Sequence, residues 1–363
     1  MNFQDEKALS LQPPEIKLNP GDAYSSQNRT WQGIPSLERT AAGRLWATWY
    51  SGGEGEGPDN YILLVTSSDD GHTWSEPRLV IDPPGKVRAH DPSIWLDPLG
   101  RLWLFWTQSY DWFDGRAGVW TIQTENPEVE NPVWTEPKRL CHGNMLNKPV
   151  VLSTGEWLLP AALWASREPR LPELAYYRFS CVYCSTDQGQ AWTLRGRADV
   201  PERGFDEHQL VERRDGSLWM LVRTRYGIGE SFSNDSGFTW SPGQHSSIEG
   251  PGSRFFIRRL QSGRLLLVNH HHFQGRSHLT ALLSEDDGQT WIEGLLLDKR
   301  FNVAYPDGVQ ASDGRIFIIY DHKRYSAKEI LLAVFTEEDI LAGKCVSKAC
   351  RLKQLVNKAG KTI

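Results

Sequence analysis

One eight-residue pattern, S-x-D-x-G-x-(T/A)-W, occurs four times in this chain, as SSDDGHTW, STDQGQAW, SNDSGFTW and SEDDGQTW. These octets begin at Ser67, Ser185, Ser233 and Ser284, so their starts are 118, 48 and 51 residues apart. The first gap is about twice the others, which indicates an intervening unit whose octet has decayed. NPVWTEPKRL, from Asn131, echoes the end of the first octet, TWSEPRLV. A period of roughly 50 residues predicts the blades of a propeller.

A second repeat lies between the octets: a short apolar segment that follows a turn signal and is typical of a buried strand. Its copies are GRLWATWY, GRLWLFW, GEWLLPAAL, GSLWMLVR, GRLLLVNH and GRIFIIYD. They begin at Gly43, Gly100, Gly155, Gly216, Gly263 and Gly314. Six copies predict an all-β, six-bladed β-propeller with four-stranded antiparallel blades and a pocket at one end of the central axis.

No linker interrupts this series, so residues 1–363 are expected to form a single domain. The N-terminal segment is expected to supply a strand to the last blade and so to close the ring. Helical periodicity is confined to TEEDILAG near the C-terminus. The 16 Trp and 32 Gly suit an all-β fold with many tight turns, and tryptophan also offers a stacking surface for sugars.

The octet residues themselves predict a hairpin clasp. Serine and aspartate can bind the backbone amides of a tight turn, glycine accepts a positive φ, and the tryptophan packs between sheets. Because the copies belong to different blades, the octets are interpreted as repeated architecture and not as four catalytic sites.

Charge and cysteine content exclude several classes of function. The net charge is −5 with no long run of one sign, so neither nucleic acid nor a membrane is an expected partner. Five cysteines are an odd number in a long chain, and Cys181 and Cys184 lack a second pair to complete a zinc site, so no metal or cofactor is expected. The start of the chain has no apolar signal core, which predicts a cytoplasmic protein, or a secreted or periplasmic one if a leader was removed.

The octets on a six-bladed propeller resemble the Asp boxes of sialidases (neuraminidases) and their relatives. The resemblance extends from Trp31 to about Asp339. Asp boxes also occur in proteins with unrelated activities and in some lectins, so function has to be argued from other motifs.

Three further segments are similar to sialidase motifs. In DEHQLVERRDGSLWMLVRTR, Glu207 and Arg223 match a glutamate that is followed sixteen residues later by a carboxylate-binding arginine. FNVAYPDGVQ resembles the segment of the nucleophilic tyrosine, which implies that role for Tyr305. GRSHLTALL places Arg276 near a second carboxylate-binding arginine of the family, although this match is displaced by about one residue.

These residue types suit one chemistry. A sialic acid carries a carboxylate on its anomeric carbon, which would repel an anionic nucleophile. A tyrosine activated by a nearby glutamate presents a nearly neutral oxygen instead. Arginines bind the substrate carboxylate in bidentate fashion, and an acid on the opposite side protonates the leaving oxygen.

The resemblance implies that this acid lies in the loop YSGGEGEGPDNYILLV, where Glu56 has the matching position. Glu54 and Asp59 are alternatives, and a solvated acidic loop is the other interpretation.

The chain departs from the family upstream, where sialidases have an arginine in an R-I-P motif. TWQGIPSLE has Gly33 at that position, and Arg29 or Arg88 is the possible substitute. The further predicted substrate contacts lie beside these motifs or just before a core strand: Arg88, His90, Asp91, Lys148, Gln32 and Asp307.

The sequence therefore predicts an exo-acting glycoside hydrolase that removes a terminal acidic sugar from a glycan. Because Gly33 replaces the expected arginine, two alternatives remain open. One is a propeller glycosidase or lyase for another sugar (rhamnoside, arabinoside or uronate), and the other is a non-catalytic carbohydrate-binding propeller.

Overall fold

Six antiparallel sheets are arranged as the blades of a propeller in the computed structural model, which describes residues 7–112, 115–164 and 171–360. The strands are numbered along the chain. The first blade contains β1 (Ile16–Leu18), β2 (Gln32–Arg39), β3 (Leu45–Ser51), β4 (Tyr61–Ser67) and β5 (Leu79–Ile81); the second contains β6 (Val87–Leu96), β7 (Leu102–Tyr110), β8 (Gly118–Thr124) and β9 (Lys138–His142); the third contains β10 (Val150–Val151), β11 (Trp157–Ala162), β12 (Ser180–Ser185) and β13 (Thr193–Ala198).

The remaining three blades have four strands each. The fourth contains β14 (Gln209–Glu212), β15 (Leu218–Thr224), β16 (Gly227–Ser233) and β17 (Gln244–His245); the fifth contains β18 (Phe256–Arg259), β19 (Leu265–His270), β20 (Leu279–Ser284) and β21 (Ile292–Asp298); the sixth contains β22 (Val303–Gln310), β23 (Ile316–His322), β24 (Glu329–Phe335) and β25 (Arg351–Lys358). The prediction of six four-stranded blades is confirmed, and β1 adds a fifth strand to the first blade.

Helices are short in the described part of the chain. Four 3-10 turns cover Leu9–Leu11, Asp22–Tyr24, Ser26–Asn28 and Pro172–Tyr177, and helix α1 covers Glu337–Leu341 in the predicted segment TEEDILAG. Thr336 caps α1 through a reciprocal capping box with Asp339. No helix in these ranges is long and apolar enough to span a membrane.

The six glycine-led segments form the second strand of every blade. Each of the strands β3, β7, β11, β15, β19 and β23 begins two residues after its glycine. These strands are almost wholly buried, because both of their faces pack against neighbouring blades. The core therefore lies between the sheets, around the ring.

The octets join the third strand of a blade to its fourth strand. In the third octet of the chain, the hydroxyl of Ser233 accepts from the amide of Gly237 at 2.8 Å and donates to Asp235 at 2.8 Å. Asp235 in turn accepts from the hydroxyl of Thr239 at 2.5 Å and from its amide at 2.9 Å. These hydrogen bonds lower the pKa of Asp235 to about 2. The contribution of the ionised aspartate to stability is therefore present at neutral pH and is lost as the pH falls through that value.

The octet glycines also fit tightly against the neighbouring blade. A Cβ on Gly71, Gly189 or Gly288 would lie 2.4–2.8 Å from a side chain of the preceding blade, and each glycine has a positive φ. Their respective neighbours are Leu332, Trp103 and Trp219. Glycine is therefore required here for both space and conformation, and the clasp holds adjacent blades together.

The ring closes differently from the sequence-based prediction, which was wrong about the N-terminal segment. Strand β1 pairs with the outer edge of the first blade, with Lys17 opposite Val80, and the outer place in the last blade is filled by the C-terminal strand β25. Side chains close the ring instead: the hydroxyl of Ser36 donates to Asp307 at 2.6 Å, across the junction of the first and last blades.

Cys345 and Cys350, between α1 and β25, form a disulfide that the sequence analysis did not predict. Cys141, Cys181 and Cys184 are buried free thiols.

The second octet tests the role of the clasps, because Ala191 stands where the other three have threonine. In Ala191→Thr, the new hydroxyl can donate to Asp187, and we expect the midpoint of thermal unfolding to rise by about 1 °C in calorimetry. Asp187→Asn should lower the midpoint. Gln190→Thr is the matched control and should leave it unchanged; an Ala191→Thr variant that melts no higher than the parent would contradict the assignment.

Candidate active site

A pocket of about 230 Å³ opens among the inner strands of the blades. Its lining residues are Ile34, Tyr50, Glu56, Arg88, His90, Asp91, Trp112, Trp164, Phe205, Glu207, Arg223, Arg276, Tyr305 and Arg324. These residues span nearly 300 positions of the sequence, from Ile34 to Arg324, because corresponding positions of different blades converge on the central axis.

A recurrent backbone feature supplies four of these side chains. Ile34, Asp91, Glu207 and Tyr305 all have positive φ values, between 40° and 60°, at or just before an inner strand. Strand pairing shifts register around three of them, Ile34, Asp91 and Tyr305, and each of these three precedes a proline. Positive φ is unfavourable for non-glycine residues and is concentrated at functional sites in folded proteins.

Tyr305, Glu207 and Arg223 form a hydrogen-bonded group at the centre of the pocket. The hydroxyl of Tyr305 donates to Oε1 of Glu207 at 3.0 Å. Nη1 of Arg223 donates to the same carboxylate oxygen at 2.6 Å and to the tyrosine hydroxyl at 2.9 Å. The second oxygen of Glu207 is buried without a hydrogen-bond partner among the described residues. This oxygen therefore keeps its capacity to accept a proton.

Burial governs the protonation of this group. It raises the pKa of Tyr305 to about 12, although the nearby Arg223 opposes the shift, so the phenol is neutral at physiological pH. Burial also raises the pKa of Glu207, again against the attraction of Arg223. A carboxylate with a raised pKa is a better proton acceptor, and this one is already hydrogen-bonded to the phenol.

Three arginines surround the ring of Tyr305. Arg223 is bonded to its hydroxyl, and the guanidinium groups of Arg276 and Arg324 lie 5.4 and 4.7 Å from its centre. Arg324 was not predicted. It follows strand β23 of the last blade, and its place beside Gly33 is seen only in the closed ring.

Glu56 and Arg88 extend the pocket on the side of the first and second blades. Glu56 binds Nη1 of Arg324 at 2.8 Å, whereas its alternatives Glu54 and Asp59 are exposed and do not line the pocket. Arg88 lies 5.1 Å from the ring of Trp112.

His90 and Asp91, both predicted, lie beside Arg88. Nδ1 of His90 is 2.8 Å from Asp91, and its Nε2 is 3.1 Å from the hydroxyl of Ser109. Burial lowers the pKa of His90, which favours a neutral imidazole.

Four aromatic residues of the pocket were not identified by sequence. Tyr50, Trp112, Trp164 and Phe205 line it, and the rings of Trp164 and Phe205 are 5.2 Å apart in an edge-to-face arrangement. Trp112, Trp164 and Phe205 lie in loops that carry no repeat pattern, so the sequence offered no local motif by which to predict them.

Three predicted substrate contacts are corrected by their positions, because Lys148, Gln32 and Asp307 lie outside this pocket. The ammonium of Lys148 is buried against Glu38 at 3.1 Å and the carbonyl of Gly308 at 2.9 Å. These polar atoms are engaged in holding blades together, since unpaired buried polar groups are costly.

The other two have similar structural roles. The amide of Gln32 bridges Lys328 and Trp49, and Asp307 accepts from Ser36 and from Arg254 at 3.3 Å. The alternative arginine, Arg29, is also outside the pocket and donates to the carbonyl of Tyr24 and to Asn357.

Comparisons with known proteins agree with this fold. Residues 43–318 match the family described as BNR repeat-like domain. A Hadza microbial sialidase is similar in structure with a TM-score of 0.70 and 18% identity, over 89% of this chain and 68% of that one. The intramolecular trans-sialidase of Ruminococcus gnavus has a TM-score of 0.66 and 14% identity, over 89% of this chain and 98% of that one. A Dyadobacter fermentans protein of unknown function has a TM-score of 0.64 and 16% identity, over 87% of this chain and 95% of that one. The search of curated proteins finds no match.

The buried ion pair of the pocket can be tested without a substrate. Arg223→Met leaves Glu207 buried without its cation, so we expect the free energy of unfolding in urea to fall by about 3 kcal/mol. Adding Glu207→Gln should recover most of that loss. Arg264→Met, which removes partly exposed ion pairs with Glu285 and Glu337, is the control and should cost about 1 kcal/mol or less. Equal losses of unfolding free energy in Arg223→Met and Arg264→Met would contradict a buried ion pair between Arg223 and Glu207.

Proposed function

The chain belongs to the BNR repeat-like domain family, and from that premise we propose that it is an exo-acting, sialidase-like glycoside hydrolase that releases a terminal acidic sugar from a glycan. The observation that carries the proposal is the phenol of Tyr305, hydrogen-bonded to a buried glutamate and an arginine within a pocket. The structural neighbours that are named sialidases support it at the level of the fold.

The first half of the reaction uses Tyr305 as nucleophile. Its oxygen forms a bond to the anomeric carbon while the bond to the leaving oxygen breaks, and its proton passes to Glu207, 3.0 Å away. Because the phenol is neutral before attack, it approaches a carboxylate-bearing carbon without charge repulsion. Arg223 already donates to the phenol oxygen, so it also stabilises the charge that develops there.

Glu56 is the proposed acid. It lines the same pocket and donates a proton to the leaving oxygen as the glycosidic bond breaks. In the second half, water attacks the anomeric carbon and gives a proton to the Glu56 carboxylate, while the bond to Tyr305 breaks and the phenol recovers its proton from Glu207. Two displacements at one carbon retain the anomeric configuration.

Turnover of fluorogenic substrates tests the proposal. We expect hydrolysis of an aryl sialoside and not of neutral aryl glycosides. Tyr305→Phe and Glu207→Gln should each reduce kcat by about 10³-fold or more, and the double variant should be little worse than either because the two residues act as a unit. Tyr226→Phe and Glu230→Gln remove a buried hydroxyl and a buried carboxylate outside the pocket and are the matched controls.

Three outcomes count against the proposal. Near-normal turnover by Tyr305→Phe would exclude the nucleophile assignment. Turnover of a rhamnoside or arabinoside alone would exclude an acidic substrate, and turnover of a uronate alone would keep the acidic sugar but exclude a sialoside. Sugar binding without turnover of any glycoside would favour a carbohydrate-binding protein.

The pH dependence distinguishes assisted attack from attack by a free phenolate. Glu207 must be ionised to accept the proton, and its pKa is raised, so kcat/KM should fall on acidification at a pH above the ordinary glutamate value of 4.5. Residual activity of Glu207→Gln should lack this acidic limb. If free phenolate were the nucleophile, the rate would instead climb about tenfold per pH unit toward the Tyr305 pKa of about 12.

A further inference from the structure

Gly33 lies where a side chain cannot fit. A Cβ on this residue would be 2.0 Å from Cδ and 2.5 Å from Cγ of Arg324, and 3.2 Å from a carboxylate oxygen of Asp321. Real Cβ atoms essentially never approach another heavy atom this closely. The φ of Gly33 is not in the left-handed region, so its backbone does not call for glycine. The aliphatic stem of Arg324 already fills the space that a side chain at position 33 would need.

Arg324 is held firmly in that space. Its Nε lies 3.4 Å from Asp321, its Nη1 donates to Glu56 at 2.8 Å, and its guanidinium lies over the ring of Tyr305. The carboxylate of Asp321 also accepts from the amide of Ile34 at 2.9 Å. Asp321 therefore ties Arg324, which follows the second strand of the last blade, to the inner strand of the first.

The guanidinium keeps its charge despite burial. Burial alone would lower the pKa of Arg324, but Asp321, Tyr305 and Glu56 outweigh it and raise the pKa above the usual arginine value. A permanently charged arginine that lines the pocket next to the proposed nucleophile is suited to bind an anionic group of a ligand.

We propose that Gly33 and Arg324 are a matched pair, in which the missing side chain on the first blade admits an arginine from the last blade as the third carboxylate-binding arginine, beside Arg223 and Arg276. This inference rests on the proposed function. It accounts for the departure of TWQGIPSLE from the R-I-P pattern: the cation is retained, but it is delivered from a different strand.

The pair also implies an exchange of carboxylates. In the free protein Glu56 occupies Nη1 of Arg324. A bound sugar acid places its own carboxylate on the guanidinium and so displaces Glu56, which takes up a proton from water and can then donate it to the leaving oxygen. Arg324 is then a binding residue whose occupancy also positions Glu56.

The spatial part of the inference is tested by stability. Gly33→Ala should lower the midpoint of thermal unfolding, because its Cβ collides with Arg324. In an Arg324→Ala background the same change should have little effect, since the collision is gone. Equal losses from Gly33→Ala in the two backgrounds would overturn the pairing, whatever the protein's activity.

Binding of a sugar acid tests whether Arg324 binds the substrate carboxylate. Titration calorimetry with free N-acetylneuraminic acid, and with the same sugar as its methyl ester, compares the parent chain with its variants. We expect Arg324→Ala to weaken binding of the acid at least tenfold, to change binding of the ester little, and to be partly rescued by adding Gly33→Arg. Arg315→Met, on the same blade and outside the pocket, is the control and should bind normally.

The outcomes separate the two proposals. Acid binding that does not depend on Arg324, or no binding of the acid by the parent chain, overturns Arg324 as a carboxylate-binding residue. The hydrolase is judged separately, by turnover of the aryl sialoside by the parent chain. For the exchange, Glu56→Gln should bind the acid more tightly while its kcat falls; weaker binding together with lower kcat would contradict the displacement of Glu56.

Discussion

The pocket depends on a backbone kink that recurs near the start of the inner strands. Ile34, Asp91 and Tyr305 combine a positive φ with a following proline and an interrupted strand pairing, and the side chains of all three line the pocket. Each kink costs conformational energy, which the surrounding sheets have to offset. In return, residues as distant in sequence as Glu207 and Tyr305 come within hydrogen-bonding distance. The repeated blade architecture thus also brings these side chains together in one pocket.

The junction of the last and first blades carries a second consequence. No described strand is shared across it, and buried carboxylates of the last blade bind the first blade instead: Asp307 accepts from Ser36, and Asp321 accepts from the amide of Ile34. Burial raises the pKa of Asp321, and Arg324 opposes that shift, so the carboxylate and the guanidinium support each other's charge. The carboxylate of Asp321 therefore both joins the last blade to the first and holds Arg324 beside Tyr305.

Sequence predicted the fold well because the fold is a repeat, and six glycine-led strands and four octets report it many times over. It also predicted Glu207, Arg223 and Tyr305 as pocket residues, since each lies in a local motif, and the structure brings all three together. Contacts between distant blades carry no such local signal. Lys148 and Asp307 look like site residues in sequence, but outside the pocket Lys148 pairs with Glu38 and Asp307, and Asp307 also pairs with Arg254. Which side chain occupies the space beside Gly33 is decided only once the ring is closed.

The charges in and beside the pocket suit a ligand that carries a carboxylate. In the described lining, four arginines (Arg88, Arg223, Arg276 and Arg324) face the carboxylates of Glu56, Asp91 and Glu207, and burial favours the neutral form of His90. The buried carboxylate of Asp321 lies just outside this lining, 3.4 Å from Arg324, so the guanidinium is already shared between Asp321 and Glu56. A ligand carboxylate would therefore exchange with Glu56 on Arg324 and not fill a vacant cation site. A neutral sugar would leave the pair of Glu56 and Arg324 intact, and its affinity would have to come from hydrogen bonds and from the aromatic walls.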